Sequence, residues 1–305
     1  MQTDLSVKIG RLKLKNPVMV ASGTFGYAEE FSDFIDLKKL GAIVTKTITL
    51  KARQGNLPPR TCETPSGMLN SIGLENPGLE VFIEDKLPFL KKLGVPVIMS
   101  VAAEEEPQEF LELVTRLSKL DEVSAIELNI SCPNVKGKKN LISQDPDATY
   151  EIVARVRKIT NKTLITKLSP NVTMVSEIAQ AAQEAGSDAV SLINTLYGMS
   201  IDINKRESKI AAITAGLSGP AIRPVAVKMV WETFNKIKIP IIGMGGIMDT
   251  ASALEFIIAG STAISVGTAN FINPKISIEI LMGLRDYLLR NKINDIKELI
   301  GSLKI

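Results

Sequence analysis

The residues able to do chemistry stand at the ends of short apolar runs. Lys46 follows AIVT, Asn129 closes AIELN with Ser131 and Cys132 just beyond, Lys167 closes LITK, and Asn194 and Thr195 follow AVSLI. Two further runs end in Gly245-Gly246 and Gly267-Thr268. The chain has no histidine, which removes the commonest general base, the commonest metal ligand and every Ser-His or Cys-His nucleophile. Acid–base work then falls to Cys, Lys, Asp, Glu, Tyr or Ser, and no metal site is expected. Cys132 lies in N-I-S-C-P-N, directly after an apolar run and before a proline. A lone cysteine is more often a small buried hydrophobe, but polar flanks and a place among the other polar ends favour chemistry here. A thiol with an ordinary pKa of about 8.5 can take a proton from carbon once bound substrate excludes water. Cys62, in PPRTCETP, lacks such surroundings and reads as structural.

Lys46 and Lys167 are suited to neutralising a ligand anion or stabilising charge that develops on a cofactor ring. Salt bridges in the rim of the fold are the plain alternative for each. A desolvated Lys167 would also serve as a Schiff-base nucleophile, an aldolase-like chemistry that competes with the first reading. The glycine turns suit a phosphate, because backbone N–H groups and a helix N-terminus can point at the anion. Asp249 or Thr250 is placed to cap the helix that follows the first of them.

These groups need strands to present them. Eight apolar runs recur with helical patterns between them: 17–22, 42–49, 96–102, 125–131, 164–169, 189–194, 239–246 and 263–269. Their Val, Ile and Leu content suits strands covered on both faces. Between them EFLELVTRLSKL places Phe110, Val114 and Leu117 on one helical face, and ATYEIVARVRKIT, MVSEIAQAAQEAG and ASALEFIIAG behave likewise. Eight strands each followed by a helix predict a closed (β/α)₈ TIM barrel as a single domain over 1–305, with its site at the C-terminal ends of the strands. The interval Leu50 to Asn76 is rich in Pro, Gly, Asn and Thr without helical period, and predicts a long, ordered cover loop after strand 2. MQTDLSVKIGRLKLKNP alternates apolar and polar residues and predicts a small N-terminal β-hairpin turning near Gly10, not a signal peptide or membrane anchor. With 36 basic and 33 acidic residues interleaved, the net charge of +3 shows no basic stripe for nucleic acid. Two cysteines are too few for a disulfide framework or a four-thiolate cluster, which points to the reducing cytoplasm.

KTIT with RQGNLPPRTCETPSGMLNSIGLENPG (Arg53 to Gly78) and NISCPNVKG (Asn129 to Gly137) resembles the class 1 dihydroorotate dehydrogenases of type B, in their catalytic subunit. TKLSPNV, INTL, GLSGPAIRP, GMGGI and SVGTA continue the likeness in order over nearly the whole chain. The resemblance implies an FMN-binding barrel oxidising dihydroorotate to orotate in pyrimidine biosynthesis. FMN contacts then fall on Ser22, Lys46, Thr47, Asn129, Lys167, Ile193, Gly219, Gly245, Gly246, Gly267 and Thr268. Substrate contacts fall on Lys46, Asn70, Ser71, Ile72, Gly73, Leu74, Asn129, Asn194 and Thr195, and Cys132 is the catalytic base. Amide side chains both donate and accept, so Asn70, Asn129 and Asn194 suit a pyrimidine's edges, and Lys46 suits its carboxylate. The family usually carries Asn where Ser100 stands, and often Gly at Ala103. The shorter Ser100 is expected to reach FMN through a water.

The membrane-bound class 2 enzymes carry an N-terminal helical extension and a serine base, neither of which is found here. The NSIGLENPG run favours type B over the fumarate-using, homodimeric type A. Type B implies a second subunit bearing FAD and a 2Fe-2S cluster that delivers electrons to NAD⁺. A catalytic homodimer joined to two such subunits, a heterotetramer, is therefore expected, since the βα units leave no room for a second flavin domain.

Overall fold

The structure, a computed structural model, describes residues 3–104, 106–131 and 141–304. The chain opens with an antiparallel hairpin, β1 (Val7–Ile9) and β2 (Leu12–Leu14), turned by Gly10 at φ 55°. Its buried Val7, Ile9 and Leu14 face the body of the protein, and Arg11 N donates to Thr163 Oγ1 at 3.0 Å. The hairpin therefore plugs the N-terminal end of the strands that follow. Gly10 is required twice there, by its positive φ and by Asp188, whose Cβ would lie 2.6 Å from an added methyl.

The main sheet follows as β3 (Val18–Val20) and β4 (Ala42–Val44). An insertion then supplies β5 (Thr61–Thr64) and β6 (Gly67–Asn70). Next come α1 (Leu79–Val81), a single wide turn at Phe82–Lys86, α2 (Leu87–Leu93), β7 (Val97–Val101) and α3 (Gln108–Leu117). β8 (Val123–Asn129), α4 (Pro146–Arg157), β9 (Thr163–Lys167), α5 (Val175–Glu184) and β10 (Ala189–Leu192) continue the alternation. A second insertion contributes β11 (Leu196–Gly198), β12 (Ile201–Asp202), β13 (Glu207–Ser208) and β14 (Ala215–Ser218). The chain closes with α6 (Arg223–Phe234), β15 (Ile241–Gly243), α7 (Thr250–Ala259), β16 (Ala263–Val266), α8 (Ala269–Ile272) and α9 (Ile276–Arg290).

Strands β3, β4, β7, β8, β9, β10, β15 and β16 form a closed parallel barrel in chain order, with β16 returning to β3. Six lie within the predicted runs, and β8 and β9 overlap theirs but begin two residues and one residue earlier. Phe110, Leu113, Val114 and Leu117 bury the inner face of α3, and Gly260 at φ 127° ends α7. The barrel interior is filled, as such barrels require. Inside it Glu127, 1% exposed, accepts from Ser191 Oγ at 2.8 Å.

Two expectations need correcting. No α-helix follows β3; residues 23–41 instead make 3-10 turns at Glu29–Phe31 and Leu37–Lys39. Gly23, Gly26 and Ala28 all take positive φ there, which breaks a helical run, and α9 packs against β3 in its place. The interval after β4 is not a simple loop either. Its hairpin β5–β6 joins β14 and β11 in an antiparallel four-stranded sheet, ordered β11-β14-β6-β5. The pairing strand β14 lies 146 residues on at Asn70 and Gly216, and the Gly and Pro content of the first insertion masks the period-2 signal of short strands. Both insertions leave the barrel from strand C-terminal ends, so this sheet covers the mouth.

Candidate active site

The floor of the mouth is built by Lys167. It closes β9 in register with Asn129 of β8 and is 5% exposed. Its Nζ donates to Ser22 Oγ at 3.1 Å. Ser22 lies just past β3, four strands round the barrel from β9, so the side chain reaches across the mouth. Among the described residues no carboxylate pairs with it, and a buried cation answered only by a hydroxyl is equipped for an anionic partner. Beside it Thr47 and Ser100 join hydroxyl to hydroxyl at 2.9 Å. Ser100 is wholly buried against Thr47.

Lys46 closes the β4 run, with its backbone N–H bonded to the Gly26 carbonyl at 2.9 Å. Burial holds its ammonium below the usual lysine range; Glu75 and Glu30 oppose that shift and Arg60 adds to it.

The expected substrate residues form a connected arc. Asn70 pairs in register with Gly216 on β14, and its Nδ2 donates to the Gly216 carbonyl at 3.3 Å. Gly216 lies against Thr195, since a Cβ added to it would stand 2.0 Å from Thr195 Oγ1. Thr195 N donates to Asn194 Oδ1 at 2.8 Å, and Asn194 Nδ2 reaches Asn129 Oδ1 at 3.5 Å. Asn129 Oδ1 also accepts from Ser131 N at 3.4 Å. Ser131 Oγ is buried without a partner among the described residues.

The turn 71–74 is held rigidly. Asn56 Nδ2 donates to Ser71 Oγ at 2.7 Å and Asn56 N to the Ile72 carbonyl at 3.0 Å. Gly73 and Leu74 both take positive φ, 73° and 56°, a cost that persists only where neighbours hold the turn. Asn76 does so, donating to the Leu74 carbonyl at 2.7 Å and to Thr49 Oγ1 at 2.8 Å. Its Oδ1 accepts from Gly78 N at 2.8 Å.

The glycine turns converge as well. A Cβ on Gly246 would meet the Gly219 carbonyl at 2.8 Å and Arg223 N, at the start of α6, at 3.1 Å. One on Gly245 would meet Ile193 Cγ1 at 3.2 Å. Thr268 Oγ1 donates to Ser218 Oγ at 2.8 Å, bringing the end of β16 beside Gly219. A Cβ on Gly267 would make only ordinary contacts, with Ala21 Cβ at 3.7 Å and Thr24 Cγ2 at 4.0 Å. Of the two caps the sequence offered for α7, the structure uses Asp249, which accepts from Ser252 N at 2.7 Å, so that end is already answered by a carboxylate. The start of α6, which has no side-chain cap, is the one that adjoins the glycines.

Sequence reasoning missed Gly216, whose role depends on strands that pair across a long separation, and Asn56, Asn76 and Asn171, whose roles depend on loop backbone shaped only by folding. The SPNV motif held the only signal for Asn171. Cys132 lies outside the described residues. Cys62 sits on β5, partly buried against Leu69. Among the described residues no cluster of His, Cys, Asp and Glu could hold a metal ion, and no helix is long and apolar enough to cross a membrane.

Fold and site together define a parallel (β/α)₈ barrel with a cationic, amide-rich mouth beneath a β-sheet cover. The chain belongs to the dihydroorotate dehydrogenase family, whose model matches residues 4–288. It is 55% identical over 302 residues to the dihydroorotate dehydrogenase B (NAD(+)) catalytic subunit of Geotalea daltonii, covering 99% of each chain. The proteins of the same name from Geotalea uraniireducens and Trichlorobacter lovleyi are 54% and 53% identical, over 98% and 100% of each chain. The likeness carried by the motifs thus extends over the whole sequence.

Proposed function

We propose that this chain is an oxidoreductase that converts (S)-dihydroorotate to orotate in pyrimidine nucleotide biosynthesis, with FMN held at the barrel mouth. The observation that carries this reading is the identity of 55% over 99% of both chains to a relative of that name. The mouth supports it: Lys167, a buried cation without a carboxylate partner among the described residues, suits a cofactor edge that gains negative charge on reduction. Ser22, Lys46, Thr47, Asn129, Lys167, Ile193, Gly219, Gly245, Gly246, Gly267 and Thr268 would hold the FMN, with Ser100 reaching it through a water. When bound, FMN supplies the acceptor for the hydride that leaves C6.

The chain's own residues bind, orient and deprotonate. Lys46 takes the substrate carboxylate, and Asn70, Asn129 and Asn194 read the ring's donors and acceptors while Thr195 and the turn Ser71 to Leu74 enclose it. Cys132 removes the C5 proton. The β-sheet cover excludes water, which strengthens these contacts.

The relatives' name, catalytic subunit, supports a partner. In this reading two copies join two subunits carrying FAD and a 2Fe-2S cluster, which pass electrons to NAD⁺ in the cytoplasm. An anaerobic visible spectrum of the chain before and after adding dihydroorotate tests the core of the proposal. Bleaching of an oxidised-flavin band is expected. A flavin that stays oxidised would refute the substrate, and a colourless protein unable to take up FMN would refute the cofactor. Full-rate NAD⁺ reduction by the isolated chain would refute the partner.

A further inference from the structure

Asn171 has no place in the arc of substrate residues, yet among the described residues five hydrogen bonds converge on it. It follows β9 in S-P-N-V. Its Nδ2 donates to the Thr195 carbonyl at 3.0 Å and to Ser169 Oγ at 3.1 Å. Its Oδ1 accepts from Tyr197 N at 2.9 Å. Its own N–H donates to Ser169 Oγ at 3.2 Å, and its carbonyl accepts from Gln144 Nε2 at 3.1 Å. Both ends of the side-chain amide are thus spent on the backbone that leads from Asn194 and Thr195 into β11, one residue on either side of Leu196. The backbone of Asn171 is anchored to the barrel by Ser169 and buttressed by Gln144, from the 3-10 turn Ile142–Gln144.

That pattern differs from ordinary loop packing. β11 pairs with β14 on one edge, while the Thr195 carbonyl and the Tyr197 N–H point to its other edge, where Asn171 satisfies both. A single amide therefore stands in for a missing neighbouring strand. We propose that Asn171 is a positioning residue that sets the place of Thr195, and through it Asn194, for the pyrimidine ring. The inference rests on the dihydroorotate reading above. Asn171 touches no reacting atom; it acts by fixing Thr195 and the start of β11 against the end of β9.

The test uses the FMN-loaded chain and two variants, Asn171→Ala and Asn171→Asp. The aspartate keeps an acceptor for Tyr197 N but turns a second oxygen toward the Thr195 carbonyl, so it repels where asparagine donates. Orotate affinity is measured by calorimetry, flavin reduction by stopped flow, and FMN content and Tm alongside. Both variants are expected to weaken orotate binding by about tenfold or more and to raise the dihydroorotate concentration for half-maximal reduction, with FMN content and Tm close to wild type. Aspartate should do no better than alanine. If both variants bind orotate and are reduced as the wild type is, or if aspartate restores binding, the inference fails while the proposed function stands. If they lose Tm and FMN but the folded fraction binds orotate normally, the role is structural and the inference also fails. A wild type that neither binds orotate nor is reduced by dihydroorotate overturns both.

Discussion

Gly216→Ala is the sharpest single probe of the arc. Gly216 has no positive φ, so alanine meets no backbone strain there; the effect is contact alone. Its new Cβ would stand 2.0 Å from Thr195 Oγ1 and 2.6 Å from Thr195 Cβ. Ordinary carbon contacts need about 3.5 Å, so one atom must retreat by a full ångström or more. Turning the Thr195 side chain moves the hydroxyl but not its Cβ, so the backbone of Thr195 has to shift. Overpacking of this kind costs about 1–3 kcal/mol, which a domain of this size tolerates. A misplacement of about 1 Å at a binding group lowers rate by about 100-fold. The assay is stopped-flow reduction of the bound flavin by dihydroorotate, with orotate affinity and FMN content measured in parallel. Gly198→Ala, on the adjacent β11, is the control, since its Cβ meets a terminal methyl of Leu69 at 3.1 Å and Leu217 Cβ at an ordinary 3.6 Å. Gly216→Ala should retain FMN and lose both rate and orotate affinity, and Gly198→Ala should lose neither. Wild-type kinetics in Gly216→Ala would refute the placement of Thr195 in the substrate arc.

Four further outcomes follow from the same structure. Cys132→Ser should keep FMN and slow flavin reduction by orders of magnitude while moving activity to higher pH, because a hydroxyl is a far weaker acid than a thiol; unchanged kinetics would remove Cys132 from the mechanism. Burial lowers the Lys46 ammonium, so orotate affinity in the FMN-loaded chain should begin to fall at a pH below the ordinary lysine range of about 10.4, and Lys46→Arg should move that fall upward; the same lowering makes the folded state bind fewer protons than the unfolded one, so Lys46's contribution to stability improves as pH rises through its folded value toward the ordinary one. Tyr27 is buried with its hydroxyl unpartnered among the described residues, and burial, with Glu30 behind it, pushes that hydroxyl up; Tyr27→Phe should leave stability unchanged or raise it by about 1 kcal/mol in chemical denaturation. Asp249→Ala should cost about 1 kcal/mol by removing the cap on α7, and since hydrogen bonds from Ser252 hold this carboxyl below its usual range, the wild-type advantage should be present above about pH 4 and vanish as pH falls through the folded value.

The barrel was legible because its strands and helices are local objects. Phe110, Val114 and Leu117 announce a helix within eight residues, and AIELNIS announces a strand within seven. The polar strand ends were legible for the same reason, since a barrel dictates where Lys46, Asn129 and Lys167 must stand. What escaped is non-local. Asn70 and Gly216 are register partners across 146 residues, and no short-range pattern in either insertion names the other. Asn171 and Asn76 escaped because their work is to satisfy backbone groups of turns whose shapes exist only after folding. Ser100 was read from a family departure alone, and its burial against Thr47 was not visible in the sequence.

The cover sheet is assembled from two insertions that leave the barrel after β4 and after β10, and these strands stand four places apart around the closed sheet. The cover is therefore a bridge pinned at opposite points of a circular rim. A span fixed at both abutments cannot swing open as a flap does; it can only flex, or let traffic pass beneath its sides. Any distortion that brings β4 and β10 closer or twists them apart is carried directly to the β6–β14 pairing at midspan, where Asn70 and Gly216 meet. Substrate entry and the alignment of the reading amides are then mechanically one event, and a partner that braces either rim would tune both.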